Sequence, residues 1–287
     1  MKYIIHGASG AQGSPLYKKL LAAGKNAVGA VRDTKSLNDL PAIAVDNSSV
    51  ESLIAAYKGA EGVFVHLPLG PEEMRLEFAK NIGKAIMSAK PKRVIISTSG
   101  WTIDAPGTPL QYSDDNAVSV LKREVEKSGV SSAVIAPRFY LENLLLPMTL
   151  EAVKSKGVIQ YPIRSDYAVS WGSHLDVADV AIELFNKPSV TGIVGVGQFP
   201  GITGKDLADS FSKYFGKKIT FESLKPAEYG KLLVPLFGEI AAAGVEEIYN
   251  TIEKSKENVI NRNTSAQNVL DFKPRSIEQW LSDMGIR

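Results

Sequence analysis

Near the amino end the glycines recur as Gly7-Ala8-Ser9-Gly10-Ala11-Gln12-Gly13, directly between an apolar run, Lys2–His6, and an amphipathic stretch, Ser14–Ala23. Each glycine has a separate use there. The first permits a tight turn, and the second lets backbone come close to a diphosphate. The third lets helix and strand pack tightly, so that the helix N–H groups face an anion. Gly7, Ser9, Gly10, Ala11, Gln12 and Gly13 are therefore the expected pyrophosphate contacts. The run is not the G-x-x-x-x-G-K-[ST] of a P-loop. With Ser9 followed by Gly10 and Ala11, it is not the G-x-S-x-G of a hydrolase elbow either.

Roughly 20 residues beyond such a loop, the residue closing the second strand selects the dinucleotide. The chain reads Val31-Arg32-Asp33 there. A carboxylate accepts from a ribose 2′-hydroxyl, whereas a guanidinium clamps a 2′-phosphate. Adjacent side chains cannot point the same way. Arg32 is taken as the contact, with Lys35 adding positive field, which predicts NADP(H) in preference to NAD(H). Asp46 either meets the adenine amino group or caps the next turn. Thr98 or Ser99 either reaches the nicotinamide ribose or a substrate oxygen, or satisfies nearby backbone. Trp101 and Trp171 can wall an aromatic acceptor or simply pack. The three histidines, His6, His66 and His174, are too scattered for a metal site. His6, beside the loop, is as well explained by packing as by cofactor contact.

The elements that must position these residues alternate. Strands are expected at Lys2–His6, Ala27–Arg32, Ala42–Asp46, Val63–Leu67, Arg93–Ser97 and Val130–Ala136. Helices are expected at Ser14–Ala23, Ser49–Tyr57 (with Ser48 or Ser49 as cap), Pro71–Ala89 and Asp115–Lys127. Strands apolar at consecutive positions belong to a parallel sheet covered on both faces. The fold class is thus α/β, a doubly wound, Rossmann-like sheet whose ligand crevice lies beyond the carboxyl ends of its strands. The second half mixes short strands (Ala168–Trp171, Ile193–Val196, Ile219–Glu222) with helices near Leu175–Phe185, Gly204–Tyr214, Ala227–Leu233, Glu239–Ile252 and Ser276–Met284. It reads as a smaller, mostly helical lobe. Residues 1–150 are expected to form the nucleotide-binding domain and 151–287 the substrate lobe, with segments near 168–198 returning to the main sheet. Pro200-Gly201 and Leu233–Ala243 leave open a flexible lid or an oligomer surface such as a homodimer.

Composition narrows the partners. Among 287 residues, 33 basic side chains face 31 acidic ones, a net charge of +2, so no nucleic-acid partner is expected. No apolar run approaches the roughly 18–20 residues of a membrane span. The opening Met1–Gly7 is too briefly apolar for a signal peptide, so a cytoplasmic location is expected. Zero cysteines removes thiolate chemistry.

Taken with Ser97-Thr98-Ser99-Gly100 and Arg138-Phe139-Tyr140-Leu141-Glu142-Asn143, the glycine run and Val31-Arg32-Asp33 resemble the NmrA-like family of atypical short-chain dehydrogenase/reductases. Within it the chain is most similar to bacterial NAD(P)H:quinone oxidoreductases. The resemblance implies that Gly7–Gly13 and Arg32 hold the pyrophosphate and 2′-phosphate. It also implies that His66, Leu67 and Pro68 flank the adenosine side and ribose. Phe139, Tyr140, Glu142 and Asn143 would shape the nicotinamide end. Two departures stand out. The family's arginine falls at Ala136, while this chain has Arg138. No Tyr-x-x-x-Lys exists, because Tyr112 is followed at that spacing by Asn116, and the family's lone lysine falls at Val118. Lys122, one turn later, is either a proton-handling group or a solvated surface residue. Tyr140, Tyr112 and Lys122 are the candidate catalytic groups. A quinone needs no base to lose a proton, so NADPH-dependent hydride transfer to a quinone or similar small conjugated carbonyl is expected. The alternative is a non-catalytic NADP(H)-occupancy sensor; a nucleotide-sugar reductase or isomerase is disfavoured by the missing pair.

Overall fold

The computed structural model describes residues 1–287. In chain order, β1 (Lys2–His6), α1 (Gly13–Ala22), β2 (Asn26–Val31), β3 (Ala42–Ala44), α2 (Val50–Tyr57), β4 (Ala60–Val65), α3 (Glu72–Ala89), β5 (Arg93–Ser97), α4 (Ala117–Lys127) and β6 (Ser131–Pro137) build the first half. Then come β7 (Phe139–Tyr140), α5 (Pro147–Lys156), β8 (Val158–Tyr161), β9 (Trp171–Gly172), α6 (His174–Asn186) and β10 (Gly192–Val196). The chain finishes with α7 (Gly204–Phe215), β11 (Thr220–Ser223), α8 (Pro226–Phe237), α9 (Glu239–Glu253), α10 (Ala266–Leu270) and α11 (Ile277–Asp283).

Seven strands form one parallel sheet in the order β10-β6-β5-β4-β1-β2-β3. The order reverses between β1 and β4, which opens a crevice at their carboxyl ends. Consecutive apolar residues serve opposite faces: Ile5 packs with Leu16, Tyr17 and Leu20 of α1 and with Ala178 and Ala181 of α6. Its neighbour Ile4 packs with Leu53 of α2, Ile82 and Ile86 of α3, and Leu121 of α4. Both isoleucines are fully buried, each stabilising the fold by about 1.5–3 kcal/mol. Ser49 caps α2 by accepting from Ser52 N.

The remaining elements form a third core around Phe139, Tyr161, Trp171, Phe211, Tyr249 and Trp280. The two-residue strands β7 and β9 pair in parallel, as do β8 and β11. Several elements differ from expectation. α5 and β8 were not expected, although Pro147 at the first turn and the left-handed Gly157 at the end bracket a helix. The strand expected at Ala168–Trp171 contracts to Trp171–Gly172, with Val169 making only isolated bridges to Ile202 and Asn258. β4 ends at Val65, so His66, Leu67 and Pro68 follow the strand. The α8–α9 hairpin exposes Leu236, Phe237 and Ile240. No helix is long and apolar enough to cross a membrane.

Candidate functional site

β1 hands the chain directly to the glycine loop. Gly7 has φ +61°, and a Cβ there would overlap His66 Nε2, so only glycine lets the turn pass against that imidazole. Gly10 N donates to Gly7 O at 2.8 Å and Ser14 N to Gly10 O at 3.0 Å. A Cβ on Gly13 would overlap the carbonyl oxygens of Gly7 and His6, which is the close helix–strand contact the motif requires. The amides of Ser9, Ala11 and Gln12 make no hydrogen bond within the chain. They stand at the positive end of α1, where they can donate to an anion such as a diphosphate. The Gln12 side chain does not share this role. Its Nε2 donates to Ser99 Oγ at 2.9 Å and its Oε1 accepts from Ser97 Oγ at 2.8 Å, tying the loop to the end of β5.

A cavity of about 450 Å³ opens from this loop, lined by Gly7, Ser9, Gly10, Arg32, Asp33, Ser36, Asp46, His66, Pro68, Met74 and Phe78, among others. Arg32 is exposed and forms no ion pair, whereas Asp33 accepts from Lys35 N at 3.0 Å, capping the turn Thr34–Leu37. Asp46 lines the cavity and also caps: its Oδ1 accepts from Ser48 N at 2.9 Å and Ser48 Oγ at 2.7 Å, which holds the carboxyl below its usual range. Leu67 is buried in the sheet core and takes no part in the lining. Arg32, Ser36, Met74 and Phe78 follow the carboxyl ends of β2 and β4; of these only Arg32 was anticipated, although the crevice rule points to the others too. A second cavity, of about 530 Å³, lies in the smaller lobe between α7 and β11 and includes none of these residues.

Beyond the loop stands a group of buried polar atoms without partners. Thr98 is fully buried with Oγ1 unpaired. The Tyr140 hydroxyl lies beside Ser97, but Ser97 already donates to Gln12 and accepts from Ser99 N, and the phenol has no partner. Burial lifts Tyr140 far above the ordinary tyrosine range. Its ring lies against His174, with centroids 4.2 Å apart. His66 Nε2 is also buried and unpaired. His6 shares a 2.7 Å hydrogen bond with Tyr57, and burial, with His66 adding to it, pushes it down to about 3. His66, just past β4, thus stands near both His6 at the end of β1 and His174 at the start of α6, and adds to burial in lowering each. No three metal-ligating side chains converge there.

Several expected residues are placed elsewhere. Phe139 packs edge-on against Trp171 at 5.2 Å and Tyr249 at 5.9 Å, so its ring belongs to the third core and not to the crevice. Trp171 is fully buried in that core and cannot wall an acceptor. Asn143 donates to the Tyr161 hydroxyl at 3.3 Å. Glu142 Oε1 accepts from His174 N at 3.0 Å and Trp280 Nε1 at 3.4 Å, joining the segment after β6 to α6 and α11. Lys122 pairs with Glu126 at 2.8 Å on α4 and is absent from the cavity lining, while Val118 is buried. Tyr112 packs on Trp101 at 4.5 Å, and Arg75 lies over the same indole at 4.1 Å. Burial raises the Tyr112 hydroxyl, with Arg75 opposing. Arg138 grips Asp104 through two hydrogen bonds of 2.7 and 3.1 Å, anchoring the loop that carries Trp101 and Tyr112. No spacing in the sequence announces that pair.

Known proteins share this architecture. An NAD(P)H azoreductase of Xenophilus azovorans is 27% identical, over 79% of this chain and 80% of its own length. The triphenylmethane reductase of Citrobacter sp., solved with NADP(H), superposes with a TM-score of 0.80 at 16% identity, covering 99% of both chains. An NADPH-dependent quinone oxidoreductase of Escherichia coli gives 0.74 at 17% identity, over 99% of this chain and all of the other. At those identities the two solved structures establish the fold alone. Residues 2–281 match the model of the NmrA-like family, so glycine loop, sheet order and smaller lobe are read together: the chain belongs to the NmrA-like family.

Proposed function

We propose that the chain is an NADPH-dependent reductase of a quinone or similarly conjugated carbonyl. One observation carries this reading: the loop with the unpaired amides of Ser9, Ala11 and Gln12 is tied by the Gln12 side chain to Ser97 and Ser99, the strand end at which Thr98 and, beside Ser97, Tyr140 keep buried hydroxyls without partners. The amides and the start of α1 would hold the diphosphate. Arg32, free where Asp33 is committed to a cap, would hold the 2′-phosphate, with Ser36 beside it. When bound, NADPH supplies the hydride and its electrons. Thr98 is available to the ribose or to the acceptor oxygen. Tyr140, kept protonated by burial, donates a hydrogen bond to that oxygen as negative charge develops on it. No tyrosine–lysine pair is placed to strip a proton from an alcohol, since Lys122 is paired with Glu126 and Tyr112 lacks its lysine. This favours reduction of an electron-poor acceptor over dehydrogenation. The azoreductase relative acts in its own name on another conjugated acceptor.

The same missing lysine also fits a protein that binds NADP(H) and reports its occupancy. Following NADPH absorbance with a panel of benzoquinones and naphthoquinones separates the two. Turnover above the uncatalysed rate supports the reductase. Tight NADPH binding with no turnover selects the sensor, and failure to bind either nicotinamide cofactor removes both.

A further inference from the structure

We infer that His174 is the proton donor to the reduced acceptor, and that Glu142 supplies His174 with that proton. The inference rests on the reductase reading above and assigns the acid that reading leaves open. His174 is the first residue of α6, and its backbone is pinned. Ser173 accepts from Asp176 N at 3.0 Å while Asp176 accepts from Ser173 N at 3.3 Å. The imidazole lies on Tyr140 and keeps 14% of its side chain exposed. Behind it stands Glu142. Oε1 is satisfied by His174 N and Trp280 Nε1, but Oε2 is buried, has no hydrogen-bond partner and stands 3.7 Å from His174 Nδ1. A small rotation of the ring or carboxyl closes that gap to hydrogen-bond length.

The surroundings keep this pair neutral. Glu142 faces Asp176 from α6, itself ion-paired to Arg275 at 2.6 Å, together with neutral Trp280 from α11 and neutral Tyr140 from β7. His174 faces His66, which burial keeps neutral. Burial outweighs the hydrogen bonds that favour the carboxylate and lifts Glu142 to about 7. Burial and His66 lower His174 to about 4. Between about pH 4 and pH 7, then, the pair holds one proton on the carboxyl, and a carboxyl O–H aimed at Nδ1 places the ring proton on Nε2. Once hydride has reached the acceptor and its oxygen carries negative charge, the Nε2–H bond would break and an O–H bond form on that oxygen. The Oε2–H bond breaks as Nδ1 takes its proton. The ring returns to neutrality, and the Glu142 carboxylate recovers its proton from water after product leaves. His174 is thus the catalytic residue, and Glu142 acts through it.

The test uses the full chain, with Glu142→Gln and His174→Asn. Glutamine retains an oxygen for His174 N and Trp280. In 15N-histidine NMR of the cofactor-free wild type, His174 should be neutral, protonated at Nε2, and should respond near pH 7 as Glu142 titrates. Glu142→Gln should abolish that response. With a naphthoquinone acceptor, wild-type kcat should fall as pH rises through about 7. Both variants should lose about 100-fold in kcat, with NADPH affinity within about twofold and no inflection near pH 7. Wild-type kcat and pH profile in Glu142→Gln, or an imidazolium at pH 7, would overturn the proton relay while leaving the reductase reading in place. A wild type that turns over no acceptor would instead overturn the reductase reading and the donor role with it.

Discussion

Replacing Arg32 with alanine should separate the two nicotinamide cofactors. The side chain is exposed, makes no ion pair and supports no other element, so the variant should fold as the wild type does. What it removes is a guanidinium beside the expected site of the 2′-phosphate. A hydrogen bond to a charged group contributes about 1.5–3 kcal/mol, and every 1.4 kcal/mol is tenfold in affinity. NADPH should therefore bind about 10- to 150-fold more weakly. NADH, which lacks that phosphate, should change by less than about threefold. Asp33 gives the control, because its carboxylate caps the turn Thr34–Leu37. Asp33→Ala should cost about 1 kcal/mol of stability without creating a preference for NADH. Isothermal titration with both cofactors at fixed ionic strength measures all of this. Equal losses of NADPH and NADH in Arg32→Ala would show that the guanidinium does not read the phosphate.

Three further outcomes follow from the geometry. Gly13→Ala drives a methyl into the Gly7 and His6 carbonyls; it should cost about 1–3 kcal/mol and weaken NADPH more than tenfold, and unchanged binding would refute the close helix–strand approach. Arg138→Met leaves Asp104 unpaired and nearly buried, so unfolding should lose about 3–5 kcal/mol; calorimetry should show Asp104→Leu restoring much of that in the double variant. His6, held to about 3 in the folded chain, protonates near 6.5 when unfolded. Its contribution is complete above pH 6.5 and is lost as pH falls toward 3, by about 1.4 kcal/mol per unit. Denaturant titrations across that range should show the slope flattened in His6→Asn.

The sheet was legible because runs of consecutive apolar residues alternate with amphipathic helical stretches, and the glycine loop because Gly7 and Gly13 answer steric demands that no other residue meets. Arg32 was legible for a topological reason, since the end of β2 must border the crevice. The segment after β6 was read less well. Phe139 and Asn143 follow a strand end as crevice residues do, yet β7 pairs with β9 and turns them into the aromatic core of the smaller lobe. Lys122 illustrates a different gap: helical phase places it near Val118, but its partner Glu126 lies on its own helix and holds it there. The grouping of His66 with His6 and His174 could not be read at all, because it is made by the fold, which brings the ends of β1 and β4 and the start of α6 together.

Gln12 has a consequence beyond its two hydrogen bonds. By bracing the loop against Ser97 and Ser99, it completes the ordering of the diphosphate cradle as the chain folds. Association with a nucleotide then carries little conformational entropy penalty at that end. The same brace joins the glycine loop to the end of β5. A cofactor seated by its phosphates is thereby registered, through backbone and one carboxamide, against the hydroxyls where its chemistry would occur.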